Sequence, residues 1–326
     1  MNFFRGKRVF VTGAGGFIGS HLSEMLLHAG AQVSGSLSKR PNPKNFLKNQ
    51  KDILLQSVDL QNASEIKGVL KNQDLLFHCA GSVGGLEFNL QHPGSIFRDN
   101  MSMGLAVLEA ARQVNLEKVL LTSSACVYPR YCTIPTPESE GFKDFPEPTN
   151  QGYGWAKRML EFSGEMYAQE FNLPICIARP YNAYGPRDNF DPRESHVIPA
   201  LIHRVMTGEN PLKVWGSGQQ SRSFLFVRDF VRGLMATMAF SQRVAAYNLG
   251  TKEEVTIAQL AKTIVECSGK NTEIIFDDSK PTGQPRRACD TTQAERDLAF
   301  VAKTSLRDGL SETIAWYCEH GAGVFK

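Results

Sequence analysis

The chain has 326 residues, 42% hydrophobic and 21% charged, with 36 Lys and Arg against 33 Asp and Glu for a formal net charge of +3. This composition supports a large core in two closely packed lobes, and the near balance of charge without a polybasic tract argues against a nucleic-acid partner. No apolar run approaches the roughly 18 residues of a membrane span, and residues 1–7 lead straight into the apolar run 9–11 with no signal-peptide core, so a cytoplasmic protein with no membrane partner is expected.

Strand-like apolar runs at residues 8–12, 32–35, 53–57, 75–80, 119–122 and 175–178 alternate with helix-period segments, the pattern of a parallel sheet wrapped by helices. The first strand runs into Thr12-Gly13-Ala14-Gly15-Gly16-Phe17-Ile18-Gly19. In this strand-loop-helix setting Gly13 permits a tight turn, Gly16 lets the backbone approach a pyrophosphate, and Gly19 lets the helix pack on the sheet. Ile18, Leu22, Met25 and Leu26 form one stripe of that helix, with Gly30 as its C-terminal cap.

An Asp or Glu that grips an NAD ribose would close the second strand, but the chain reads Ser34-Gly35-Ser36-Leu37-Ser38-Lys39-Arg40. Small hydroxyls followed by two cations suit a 2′-phosphate, so NADP is expected over NAD. Asp59-Leu60 follow the third strand where an adenine would lie; Asp59 is equally placed to cap a helix over 62–70. Amphipathic helices are expected over 95–113 and 153–170, and the loop 129–151 holds five prolines and must be ordered by packing. Beyond Pro180 the texture shifts to shorter strands and isolated helices at 199–206 and 228–240, with mixed patterns from 256 to 321. The chain therefore divides into a dinucleotide-binding domain, 1–180 with a return at about 225–250, and a substrate lobe, 181–326. Seven cysteines at irregular spacing without a Cys-x-x-Cys pair fit neither a disulfide framework nor a zinc ribbon; most are expected in the core, and no metal site is expected.

Tyr153 and Lys157 stand four apart and share a helix face, where the Lys157 ammonium is expected to favour the ionised phenol. Such a tyrosine can trade a proton with a carbonyl or alcohol oxygen. Ser124, at the carboxyl end of the fifth strand, completes a triad where open α/β sheets bind ligands.

With Asn100, Arg179-Pro180-Tyr181-Asn182-Ala183-Tyr184-Gly185-Pro186 and Tyr247-Asn248-Leu249-Gly250, these motifs resemble the extended short-chain dehydrogenase/reductase superfamily over nearly the whole chain. Val83-Gly84-Gly85, Ser124-Ala125-Cys126-Val127-Tyr128-Pro129, Glu147-Pro148-Thr149-Asn150, Asp188-Asn189-Phe190 through Ser195-His196-Val197-Ile198-Pro199-Ala200, and Val214-Trp215-Gly216-Ser217-Gly218 look like those of GDP-L-fucose synthases, with GDP-mannose 3,5-epimerases next. The resemblance implies a Rossmann-type doubly wound parallel sheet with a smaller mixed α/β substrate-binding lobe. It implies NADPH-dependent reduction at C4 of a GDP-linked 4-keto-6-deoxy sugar after epimerisation at C3 and C5. A redox-neutral epimerase that recycles tightly bound NAD is the first alternative, and a non-catalytic dinucleotide-sensing protein the remote one.

By the same resemblance, Ser124 and Tyr153 hold the C4 oxygen, Lys157 holds the nicotinamide ribose, and Cys126 and His196 act as base and acid on opposite faces of the ring. Histidine at 196, where the mannose epimerases carry lysine, favours the synthase. Ala125-Cys126 is not the Asp-Glu pair of the 4,6-dehydratases. Gly13, Gly16, Phe17, Ile18, Ser36, Arg40, Asp59, Leu60 and Ala80 join Tyr153 and Lys157 as cofactor residues. Val83, Gly84, Ser124, Asn182, Arg204, Trp215, Arg222 and Arg286 are the candidates for the nucleotide sugar, guanidinium forks suiting phosphate oxygens and an indole a ribose or base. Arg287 is a candidate beside Arg286. Ala14-Gly15 departs from the basic side chain that many bacterial fucose synthases place in this loop. The two long helices imply a homodimer.

Overall fold

A computed structural model of the chain describes residues 2–39, 45–47, 49–191, 194–241, 244–280 and 283–324. The first half supplies β1 (Arg8–Thr12), α1 (Phe17–His28), β2 (Gln32–Leu37), β3 (Ile53–Ser57), α2 (Ala63–Leu70), β4 (Leu75–His78), α3 (Leu86–Gln91), α4 (Pro93–Gln113), β5 (Lys118–Thr122), α5 (Gln151–Phe171) and β6 (Ile175–Pro180). The second half adds β7 (Ala183–Tyr184), α6 (Val197–Met206), β8 (Leu212–Trp215), β9 (Ser221–Arg222), β10 (Leu225–Phe226), α7 (Val227–Phe240), β11 (Ala246–Leu249), β12 (Val255–Thr256), α8 (Ile257–Ser268), β13 (Ile274–Asp277), β14 (Arg286–Arg287), α9 (Thr292–Leu298) and α10 (Leu306–Val324).

Seven parallel strands form the main sheet in the order β11-β6-β5-β4-β1-β2-β3. The apolar runs of β1, β4, β5 and β6 are buried nearly end to end because helices cover both faces of the sheet. The chain turns back between β1 and β4, and this reversal opens a crevice at the carboxyl ends of the strands. The remaining strands make small sheets that pair β10 with β7, β12 and β14 with β9, and β13 with β8. One apolar core runs from Phe4 to Ile314, so the two halves share an interior.

Local chemistry sets the element ends. β2 continues two residues past its expected end because Ser36 and Leu37 pair with Gln56 and Ser57 of β3. β4 stops two residues short because the Cys79 and Ala80 amides turn to the Thr12 hydroxyl, each at 3.0 Å. Gly30, at φ +82°, terminates α1 as expected. The cap of α2 is Asn62, whose side chain accepts from the Ser64 and Glu65 amides at 3.0 and 3.3 Å. Asp59 lies too far upstream for that role and accepts instead from the Gln61 amide at 2.9 Å. The cysteines also correct an expectation: all seven are unpaired, yet only Cys176 and Cys289 are buried, because the others fall on loops, strand ends and helix flanks.

Gly19 and Gly35 close the wall beneath the glycine loop. A methyl group at Gly35 would lie 2.8 Å from the Val11 carbonyl oxygen, and one at Gly19 would overlap the carbonyl of Gly13. Backbone cannot swing aside as a side chain can, so Gly19→Ala is expected to destabilise the fold by about 2 kcal/mol or more. Urea unfolding of the variant checks this; an unchanged midpoint would show that the loop has room to move.

Candidate active site

The crevice between β1 and β4 is tied shut at its base. Thr12 Oγ1 accepts from the Cys79 and Ala80 amides and lies 3.0 Å from His78 Nδ1, which joins the two strand ends. Gly13 turns at φ +68°, and a methyl group on it would lie 3.2 Å from Ala80 Cα. Gly16 takes the N-cap position of α1, followed by Phe17 and Ile18, both half-buried. This cradle, closed to side chains at Gly13, Gly19 and Gly35 and ending on a helix N-terminus, fits a dinucleotide diphosphate.

The end of β2 is organised differently from the expectation. The Ser36 hydroxyl is fully buried and accepts from the Gly13 amide at 3.0 Å, while the Ser36 carbonyl accepts from Ala14 at 3.0 Å. Ser36 therefore shapes the glycine loop, since its side chain points into the turn. Lys39 donates to Glu65 at 2.8 Å, and the second oxygen of Glu65 accepts from the Asp59 amide at 3.0 Å. Asp59 and Leu60 thus stand beside Lys39, past the ends of β2 and β3. Arg40 lies outside the described residues.

Ser124 ends the run of β5 and accepts from the Cys126 amide at 3.1 Å. Tyr153 and Lys157 share one face of α5, with Lys157 Nζ 5.5 Å from the Tyr153 ring centroid and donating to the Thr122 carbonyl at 2.8 Å. Gly81 backs the ammonium, and Asn100 pins the neighbouring turn by accepting from the Ser82 amide at 3.1 Å and donating to the Ser82 carbonyl at 2.8 Å.

Burial sets the proton affinities here. It pushes the Tyr153 phenol well above its ordinary value, nearby Cys126 adds to the rise, and a hydrogen bond with Ser124 opposes it. Burial also pushes the Lys157 ammonium down to about 8. The expectation that Lys157 ionises Tyr153 is corrected: desolvation of the enclosed phenol outweighs the charge of a lysine whose Nζ turns to the strand carbonyl.

Cys126 sits in a short 3-10 turn, Ala125–Val127, half-buried, and its carbonyl packs so closely on Gly154 that a methyl group there would lie 2.5 Å from it. Cys126 is therefore held beside the first turn of α5, close enough to Tyr153 to influence its phenol. Arg287 Nη1 lies 3.9 Å from the Cys126 sulfur. His196 occupies the N-cap position of α6, in the second half of the chain. Its side chain is exposed, and the surrounding protein lowers its pKa by desolvation. The Gly85 amide donates to the Glu194 carbonyl at 2.8 Å, and a side chain at Gly85 would strike the Ser195 carbonyl. Val83 and Gly84 belong to this same contact loop after β4, with Val83 exposed and Gly84 packed against the Phe88 ring.

The arginines sort themselves by strand alternation. Arg222 of β9 and Arg287 of β14 are register partners. Arg222 is half-buried, and its pKa falls to about 10 through burial, with the Arg287 charge adding to the fall and Glu147 opposing it. Arg287 is buried and donates to Gln284 Oε1 at 2.8 Å, while Arg286 faces outward and holds Glu254 with two bonds of 2.8 Å. Of these two neighbouring candidates for the diphosphate, Arg287 is the one that lies beside Cys126. Arg204 is bound to Glu209 and to the Lys213 carbonyl, a tie between α6 and β8. Asn182 donates to the Ser223 carbonyl at 2.8 Å, and Trp215 is exposed with Lys280 Nζ 5.9 Å from its ring centroid. Sequence reasoning missed Arg130, Gln284 and Glu147 as neighbours of this cluster. Gln284 donates to the Pro129 and Arg130 carbonyls, and Arg130 lies 3.5 Å from the buried Glu147 carboxylate. The only signal available was the Glu147-Pro148-Thr149-Asn150 motif itself.

The NAD dependent epimerase/dehydratase family matches residues 9–250. A dTDP-4-dehydro-6-deoxy-D-allose reductase of Streptomyces bikiniensis is 30% identical, covering 97% of both chains. The GDP-L-fucose synthase of Escherichia coli (strain K12) is 31% identical over 96% of this chain and 97% of its own. In structure the chain is similar to a UDP-glucose 4-epimerase from Thermotoga maritima, with a TM-score of 0.87, 25% identity and coverage of 96% and 99%. A cradle for a dinucleotide, a Ser-Tyr-Lys triad at the carboxyl edge of the sheet and this match over most of the chain agree: the protein belongs to the NAD dependent epimerase/dehydratase family and is an NAD(P)-dependent enzyme that modifies nucleotide sugars.

Proposed function

We propose that the enzyme is an NADPH-dependent reductase of a GDP-linked 4-keto-6-deoxy sugar that also epimerises C3 and C5. The observation that carries this reading is a buried phenol that interacts with Ser124, with the backbone of Cys126 packed on the adjacent helical turn. A neutral phenol is the acid that reduction of a ketone requires. Bound NADPH would supply the hydride for C4. Tyr153 donates its proton to the C4 oxygen while Ser124 orients that oxygen. During epimerisation the same two hydroxyls stabilise the enolate oxygen. Cys126 removes the proton beside the ketone, and His196 returns one to the opposite face. Arg222 and Arg287 hold the diphosphate from the substrate lobe.

In this reading residues 1–180, with 225–250, carry the cofactor and 181–326 the sugar nucleotide, in a cytoplasmic enzyme. The missing carboxylate at the end of β2, replaced by Ser36-Leu37-Ser38-Lys39, supports NADPH over NADH. A second reading, simple 4-reduction of a dTDP sugar, is favoured by the Streptomyces relative. Incubation with GDP- and dTDP-linked 4-keto-6-deoxy sugars in deuterated water separates the readings. NADPH oxidation with deuterium at C3 and C5 of the GDP sugar supports the first. Oxidation without deuterium leaves a 4-reductase, and deuterium without oxidation leaves a redox-neutral epimerase.

Phe97 and Leu105 on α4 and Phe162 and Met166 on α5 are exposed apolar side chains on two helices packed together. Two such pairs would bury one another in a four-helix interface, so the protein is expected to be a homodimer. Light scattering at micromolar concentration should give twice the chain mass, and Phe162→Glu should halve it; a monomeric parent protein would discard the dimer.

A further inference from the structure

Behind the triad lies a buried ion pair, Glu161 with Arg179, whose side chains expose 1% and 5% of their surface. Glu161 follows Tyr153 and Lys157 at successive four-residue steps on one face of α5. Arg179 of β6 grips its carboxylate with two bonds, Nε to Oε1 at 2.9 Å and Nη2 to Oε2 at 2.6 Å. Arg179 Nη1 donates to the Glu138 carbonyl at 2.7 Å and to the Tyr128 hydroxyl at 3.1 Å. Tyr128 in turn donates to Asn248 of β11. The Glu161 carboxylate also accepts from the hydroxyl of Ser123, the residue before Ser124. One ion pair thus fastens both flanks of the loop that carries Ser124 and Cys126. Burying two charges gains little stability over apolar packing, so their place against the reacting groups points to positioning.

We infer that Glu161 is a positioning residue: through Ser123 it fixes the strand end from which Ser124 and Cys126 project, and its negative charge balances the Lys157 ammonium one helical turn away. This rests on the proposed roles of Tyr153 and Lys157. The ammonium faces His78 and Cys79 from the end of β4, the Thr122 carbonyl from β5, Cys126 from the following loop and Tyr153 from its own helix. Glu161 is the one carboxylate among the described groups that act on it.

The test reads Lys157 directly, by nuclear magnetic resonance titration of the protein labelled with ¹³C-lysine, the signal assigned by its loss in Lys157→Gln. Glu161→Gln/Arg179→Met removes both charges and leaves no orphan. The Lys157 midpoint should then fall by about one pH unit. Ser123→Ala keeps the ion pair; it should leave the midpoint in place and lower kcat for NADPH oxidation about tenfold at unchanged KM. An unmoved midpoint in the folded double variant overturns the inference, and so does a Ser123→Ala kcat equal to that of the parent enzyme, which decides the matter alone if the double variant does not fold. Should the parent enzyme oxidise NADPH with no 4-keto sugar, the proposed function fails, while the Lys157 midpoint still decides the part played by Glu161.

Discussion

Tyr153→Phe is expected to lower kcat for 4-keto sugar reduction by about 10²–10⁴-fold while leaving KM within a few-fold. The ring stays, so α5 keeps its packing; only the proton donor and its bond with Ser124 are lost. A thousandfold loss corresponds to about 4 kcal/mol of transition-state stabilisation, well above the value of an ordinary neutral hydrogen bond. The pH profile of the parent enzyme gives an independent check. Lys157 is charged below its midpoint of about 8 and neutral above it. If the ammonium binds the nicotinamide ribose, activity should therefore fall as pH rises through about 8. A loss smaller than tenfold in Tyr153→Phe, measured by NADPH absorbance, would remove the phenol from proton transfer.

Cys126→Ala and His196→Gln should separate epimerisation from reduction. Each is expected to cut deuterium incorporation from solvent by about 10²–10⁴-fold at C3 and C5, because inversion needs both a base and an acid. NADPH oxidation should continue on the sugar that has not been inverted, because Tyr153, Ser124 and Lys157 are untouched. The two variants should differ in stability. Cys126 is packed over Gly154 and beside Arg287, whereas His196 caps α6 without a side-chain capping bond. Isotope incorporation unchanged in both variants would show that groups other than Cys126 and His196 carry the epimerisation.

The parts of the site read correctly from sequence are those set by neighbours in the chain. The turn at Gly13, the stripe on α1 and the shared face of Tyr153 and Lys157 follow from spacing alone. Other assignments needed tertiary partners. Arg204, Arg222, Arg286 and Arg287 are alike as letters, and only strand alternation and the positions of Glu209 and Glu254 separate them. Ser36 was read with the small hydroxyls that suit a 2′-phosphate because nothing local reveals that its hydroxyl meets the Gly13 amide. The direction of the Tyr153 shift was misjudged for a similar reason. Spacing gives the Lys157 charge, but the desolvation that outweighs it comes from the whole enclosure. Asn62 displaced Asp59 as the α2 cap by three residues, because α2 begins at Ala63 and Asp59 accepts from the Gln61 amide.

The backbone clasp between Gly85 and Glu194 has a practical consequence for anyone building chimeras from these enzymes. The segment that presents His196 hangs from the loop after β4 by an amide-to-carbonyl bond that tolerates no side chain at 85. A transplanted recognition segment would need a compatible glycine on the recipient, or the imported imidazole would arrive out of alignment. Residue 85 is the compatibility test to apply before any such exchange is made.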